Sequence, residues 1–372
     1  MSKRFVITCH DAGGTIPPVL ALGEALVARG NDVTVLSQPS VQRRAEAAGC
    51  TFVAFSSLGD YDRHKTFEEQ LDVTGAAIVG REVGDDLRAV GADADVVVVD
   101  ANLAGALAAA ESMAQPSAVL LHSVYATYVD VWFAELWPLL GDAVNMTRAG
   151  FGLGPVDGWP GAFAAHDRVL SVVPAVFDAP TPSVPEAMRH FGFLVPRSAP
   201  DECGVAFPAG DGPTVLVSLG TTQQDQSVRL GAIAEALGRL PVRAIVTTAG
   251  QAEVAGTPNV TVVDYTSHVH LLPQTDLVVT HGGLGTISAA LDAGVPLVCA
   301  PYDRDQPLNS SRVAALGAGV ALDGEPTADD FAAAIERVIG DASFREGAAR
   351  VADQSRAAGG AEAAARDLEE LV

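Results

Sequence analysis

The apolar residues of this chain gather in short unbroken runs, and between the runs they recur at helical spacing. FVITC (5–9) leads through a loop to VLALGEALVARG (19–30), which has helical spacing and a glycine stop. DVTVLS (32–37), a polar helix at 42–48 and TFVAF (51–55) follow. The run at 94–99, built on four consecutive valines, precedes a helical ANLAGALAAAESM (101–113) and a strand SAVLLHS (117–123). Repeated strand-helix-strand predicts a parallel sheet covered by helices on both faces. The grammar restarts at TVLVSL (214–219), with a helix at 229–240 and strands VRAIVTT (242–248), VTVVDY (260–265) and DLVVTH (276–281). A helix at 286–293, the strand PLVCAP (296–301), a helix at 309–316 and a helical tail complete it.

The expected architecture is therefore α/β, with two Rossmann-like, doubly wound domains at 1–195 and 214–372, the second carrying the tail. The stretch 196–213, rich in proline, glycine and small or acidic residues, is expected to be the linker. Ligands of open parallel sheets sit at the carboxyl ends of the strands, so two such domains are expected to face a cleft with one substrate on each side. A length of 372 residues exceeds one ordinary doubly wound domain and suits two. The net charge of −23 argues against nucleic acid or an anionic membrane as partner. Cys9, Cys50, Cys203 and Cys299 are scattered without metal-ligand or disulfide-scaffold spacing. Lys3 and Arg4 run straight into the first strand, and no apolar run reaches membrane-spanning length, so a soluble cytoplasmic protein is expected. Oligomeric state, a homodimer included, is open.

The most informative chemistry lies at His281-Gly282-Gly283-Leu284-Gly285-Thr286, between a predicted strand and a predicted helix. Glycines on such a turn let backbone N–H groups and the positive end of a helix dipole approach a diphosphate, with His281 and Thr286 as added donors. The alternative is a tight turn that binds nothing. Residues 55–90 and 123–168 read as irregular and hold Tyr125, Tyr128, Trp132, Phe133 and Trp159. Such a cluster lines a pocket for a flat or apolar ligand, or is core beneath long loops. His268 and His270, two apart with no third ligand near, do not make a metal site.

In combination these segments resemble the nucleotide-sugar-dependent glycosyltransferases of the GT-B fold, in particular the inverting bacterial enzymes that decorate natural products. The resemblance runs through Pro18 to Val35, Leu216 to Thr222, Val263 to Pro273, His281 to Thr286, Pro296, Asp305-Gln306 and Asn309. It implies that Ser218, Thr221 and Thr222 lie near the diphosphate and reacting centre, and that Thr266, Ser267 and His268 frame the base. It further implies that His281, Gly283, Gly285 and Thr286 hold the diphosphate, while Asp305 and Gln306 hydrogen-bond hydroxyls of the donor sugar. The alternative for that pair is an exposed loop. Two positions depart from the family pattern. Ala289 stands where a ribose-gripping Glu is usual, which suits a dTDP sugar lacking the 2'-hydroxyl or a ribose held by backbone groups instead, and Ser267 replaces a proline of the base-binding segment.

Direct displacement needs a base for the acceptor hydroxyl and stabilisation of the departing diphosphate. The family's usual base positions fall on Gly13 and Thr15, neither of which can serve. The same loop offers His10 as base, with Asp100, at the end of the neighbouring fourth strand, expected behind it to raise its pKa. Asp11 is the rival base, and a purely structural His10 is the alternative to both. His122, Tyr125, Trp132 and Phe133 are the acceptor-side candidates. The expected activity is inverting transfer from a dTDP- or UDP-hexose to a small aromatic or apolar acceptor, with no cofactor and no metal. A nucleotide-sugar epimerase and a catalytically silent partner protein are the competing readings.

Overall fold

The computed structural model describes residues 2–60, 71–181, 184–197, 205–220, 226–250 and 252–372. Two compact units emerge, the second within 199–356 and the first comprising the remaining described residues. The first is built on β1 (Arg4–Thr8), β2 (Asp32–Ser37), β3 (Thr51–Ala54), β4 (Val96–Asp100), β5 (Ser117–Leu121), β6 (Arg168–Ser171) and β7 (Met188–His190). These form one parallel sheet ordered β3-β2-β1-β4-β5-β6-β7. Ile7 of β1 pairs with Val35 of β2 and Val98 of β4, so the ends of β1 and β4 lie side by side, as the doubly wound reading requires. β4 is buried at every residue, which is why its sequence shows no alternation.

The second unit holds β8 (Thr214–Ser218), β9 (Arg243–Thr247), β10 (Val260–Val263), β11 (Leu277–Thr280), β12 (Leu297–Cys299) and β13 (Gly319–Ala321), ordered β10-β9-β8-β11-β12-β13 and again all parallel. Its core packs Val215, Val217, Val246 and Val279 against Leu230 and Ile233 of the helix Ser227–Arg239 and Phe331 of the helix Ala328–Gly340. Among the described residues no helix is long and apolar enough to cross a membrane.

Two features differ from the sequence reading. The stretch 123–168 is largely helical, with a π turn at Thr127–Val131 and helices Trp132–Glu135, Trp137–Gly150 and Trp159–Phe163. Pro138 and Pro160 stand in the first turns of the last two helices, where proline costs no hydrogen bond. The C-terminal tail divides: the helix Ala342–Ala358 lies mainly in the second unit, whereas Ala357–Val372 belongs to the first. The helix Gly360–Glu369 buries Ala364, Ala365 and Leu368 there, and Arg29 reaches Glu369 at 2.6 Å and Arg168 reaches Asp367 at 2.8 Å. Residues 198–204 of the expected linker lie outside the described residues.

His166 makes the first unit sensitive to acid. Its Nδ1 lies 2.8 Å from Ser117 Oγ, its Nε2 is buried without a hydrogen-bond partner among the described residues, and burial pushes the imidazole down to about 4 from 6.5. The unfolded chain takes up the proton first as pH drops, so stability is full above pH 6.5 and is lost as pH falls toward 4. The loss is on the order of 3 kcal/mol over that window, at about 1.4 kcal/mol per pKa unit. Urea unfolding should therefore show a steeper fall in stability from pH 7 to pH 5 for the wild type than for His166→Asn. Parallel pH profiles would contradict this account.

Candidate active site

β1, β4 and β5 bring three ionisable side chains together at their carboxyl ends: His10, Asp100 and His122, all buried. The contacts are not those expected. The Asp100 carboxylate accepts the His10 backbone N–H at 2.9 Å and the Asn102 N–H at 2.8 Å, and its imidazole neighbour at 3.4 Å is His122 Nε2. Neither His122 ring nitrogen makes a hydrogen bond of good geometry among the described residues, so this contact is a close approach of ring and carboxylate. Burial, the largest influence on Asp100, would raise its pKa, but the His122 charge and ring and the two amides together hold it below the usual carboxylate range.

The His10 pKa also moves opposite to expectation. Burial lowers it and outweighs Asp100 and Asp11, which raise it, while His122 lowers it further. A neutral imidazole is the proton-accepting form, so the site favours a base at neutral pH. The loop after β1 is tied down by Thr15, whose hydroxyl donates to the His10 carbonyl. Asp11 is committed elsewhere: its carboxylate accepts Ser40 Oγ at 2.6 Å, Arg44 at 3.3 Å and the Gly13 N–H at 3.2 Å. Those bonds occupy most of the roughly four acceptor sites of the carboxylate and tie it to the loop.

The aromatic cluster is mostly core. Tyr125 is 1% exposed, and burial, then Asp178, pushes its phenol up to about 12. Tyr128 packs edge-on against Trp132 at 4.8 Å and Phe163 at 5.4 Å, and its hydroxyl receives the His122 N–H at 3.1 Å. Tyr125 thus offers no surface to an acceptor, Trp132 stays half-buried, and the Phe133 side chain lies outside the described residues.

In the second unit the expected turn is present. Gly283 caps the helix Leu284–Asp292, which starts two residues earlier than its sequence suggested and puts Gly285 and Thr286 in the first turn. The His281 imidazole is wedged between glycines: a Cβ on Gly220 would lie 2.8 Å from its Cε1, and one on Gly283 2.6 Å from its Nε2. Burial pushes His281 down to about 4, despite its hydrogen bond to the Ser218 backbone. Asp305 caps the helix Gln306–Ala315 and accepts Asn309 Nδ2 at 2.9 Å, while the same amide reaches the Gly282 carbonyl at 3.2 Å. Gln306 is buried and takes the Tyr302 N–H at 3.0 Å. Asn309 therefore couples the glycine turn to the Asp305-Gln306 pair. Thr266 is buried, Ser267 precedes the short helix His268–Leu271, and burial pushes His268 down to about 4. Thr221 and Thr222 lie outside the described residues. Among the described residues no group of three or more His, Cys, Asp or Glu is placed to hold a metal ion.

Sequence reasoning passed over Arg229, which is 3% exposed and donates to backbone carbonyls of the loop leading to Asp305. The available signal was a cation in the first turn of a helix, where the dipole disfavours it.

Residues 232–371 match the family described as erythromycin biosynthesis protein CIII-like, C-terminal domain. The chain is 27% identical to 4'-demethylrebeccamycin synthase of Lentzea aerocolonigenes over 95% of this chain and 96% of that protein. It is 34% identical to demethyllactenocin mycarosyltransferase of Streptomyces fradiae, over 44% of this chain and 37% of that one. The crystal structure of the glycotransferase of kitacinnamycin superposes with a TM-score of 0.84 at 26% identity, covering 100% of this chain and 99% of that one. In sequence and in fold the chain is similar to the natural-product glycosyltransferases of the GT-B fold.

Proposed function

We propose that this enzyme is an inverting, metal-independent glycosyltransferase that moves a hexose from a nucleoside diphosphate sugar to a small aromatic or apolar natural product. The observation that carries this reading is the bonded unit of Gly282, Asn309 and Asp305, with Gln306 next in the chain, in the same unit as the helix Leu284–Asp292 that Gly283 caps. Backbone N–H groups and the dipole of that helix stabilise the diphosphate, and His281 supplies a further donor. Asp305 and Gln306 hold the sugar hydroxyls. Thr266, Ser267 and His268 frame the base, with Thr221 and Thr222 near the reacting centre.

His10 takes the proton of the acceptor hydroxyl as that oxygen bonds to the anomeric carbon. The carbon–oxygen bond to the diphosphate breaks on the opposite face, and the nucleoside diphosphate leaves with the electron pair. Asp100 acts from the backbone side of His10, fixing the loop that presents the imidazole. A dTDP donor is favoured over UDP, because Ala289 offers no carboxylate to a ribose 2'-hydroxyl. A same-fold enzyme, VinC, is known in complex with dTDP, at 22% identity.

The test is incubation with dTDP-glucose or UDP-glucose and a panel of flat aromatic aglycones, with and without EDTA, followed by mass spectrometry and assignment of the anomeric configuration. A β-glucoside formed equally well in EDTA supports the proposal. An α-glucoside, loss of turnover in EDTA with recovery on adding magnesium, or an epimerised donor without acceptor would overturn it.

A further inference from the structure

Arg229 stands in the first turn of the helix Ser227–Arg239, where a cation opposes the helix dipole, and its side chain is 2% exposed. Burying a guanidinium is costly unless its donors are met, and both Nη groups of Arg229 find partners while Nε has none among the described residues. Here Nη1 donates to the carbonyls of Ala300 at 2.8 Å and Pro301 at 3.2 Å, and Nη2 donates to that of Gly324 at 3.0 Å. The guanidinium carbon lies 3.5 Å from the centre of the Tyr302 ring, and Glu325 reaches Nη2 at 3.5 Å. Three successive residues after β12 are thus held by one side chain. The next four are Asp303, Arg304, Asp305 and Gln306, and the Tyr302 N–H donates directly to Gln306 Oε1 at 3.0 Å.

The braced loop is strained. Arg304 has φ of 60°, a left-handed conformation that is costly for a non-glycine residue. Such a conformation persists only where the surroundings over-determine it. Arg229 on one side and the Gln306–Tyr302 bond on the other provide that restraint.

We propose that Arg229 is a positioning residue for donor-sugar recognition: by fixing Ala300, Pro301 and Tyr302 it sets where Asp305 and Gln306 meet the sugar hydroxyls. The inference rests on the reading of Asp305 and Gln306 as the sugar clamp. Its consequence is selective. Loss of the brace weakens the contribution of the sugar to binding and leaves recognition of the nucleoside diphosphate intact. Lysine cannot replace arginine here, because a single ammonium neither forks to three carbonyls nor stacks flat on Tyr302.

Calorimetric titration with dTDP and with dTDP-glucose tests this in the wild type, Arg229→Lys and Tyr302→Leu. Tyr302→Leu removes the stacking partner and keeps the buried cation on its carbonyls, so it reports even where Arg229→Lys folds poorly. In the wild type dTDP-glucose should bind more tightly than dTDP. In both variants that ratio should fall by about tenfold, with dTDP affinity within threefold of wild type and the donor KM raised more than kcat is lowered. A wild type that binds the two alike would refute the clamp itself. A wild type with the difference and variants that retain it would refute the role of Arg229, as would a parallel loss of dTDP affinity.

Discussion

Replacing His10 with alanine lowers kcat/KM at pH 7.5 by about 100-fold or more, the usual contribution of a general base, while Asp11→Asn stays within about tenfold of wild type. The asymmetry follows from the partners of each group. Asp11 is bound by Ser40, Arg44 and the Gly13 amide and serves the loop. His10 has its backbone fixed by Asp100 and Thr15, and its ring is kept neutral by burial. Because the folded His10 pKa lies below its ordinary value of 6.5, kcat/KM should be flat from pH 7 to pH 8 and decline only below pH 6.5. Asp100→Asn removes a charge that raises the His10 pKa, so the acid limb should move to lower pH. Stopped assays of both variants across pH 5 to 9 check this. Full activity in His10→Ala with collapse in Asp11→Asn would reverse the assignment.

The second large effect is expected at the glycine turn. Gly282 has φ of 91°, and a Cβ there would overlap Ser310 Oγ and lie 3.0 Å from the Gln306 carbonyl oxygen. Neither obstacle is a flexible tip, since Ser310 is buried in the helix that also carries Gln306 and Asn309. Gly282→Ala must therefore push the turn away from that helix and break the Asn309 bond to the Gly282 carbonyl. Nucleotide affinity should fall by about 30-fold or more, and stability by roughly 1–3 kcal/mol. Gly231→Ala is the control, because its Cβ meets nothing within 4 Å in the interior of the helix Ser227–Arg239. Calorimetry and thermal melting of the two variants read both effects, and normal dTDP binding by Gly282→Ala would contradict them.

Both sheets were legible in the sequence because strands buried on two faces read as unbroken valine-rich runs, as at Val96 to Val99. The glycine turn was legible for a related reason: a strand, two glycines and a helix leave one backbone path, and Asp305 and Gln306 follow at the next strand end. Side-chain partners were not. Strand order brings His10, Asp100 and His122 to one sheet edge, but which ring turns toward the carboxylate depends on loop geometry set by Thr15 and Tyr128. The aromatic stretch misled because composition does not separate a pocket from core: Tyr125 and Trp159 are buried within helices that pack on the sheet. The return of Ala357–Val372 to the first unit is a long-range pairing of Arg29 and Arg168 with acidic residues that no local pattern announces. Arg229 was hidden likewise, since its partners are backbone carbonyls some 70 positions away.

The most direct test of the donor site is thermal-shift titration of the wild-type protein with dTDP, UDP and their glucose conjugates, since a ligand that binds only the folded state raises Tm. The account predicts a rise with dTDP, a smaller one with UDP and the largest with dTDP-glucose. No rise with any of the four at millimolar concentration would contradict it.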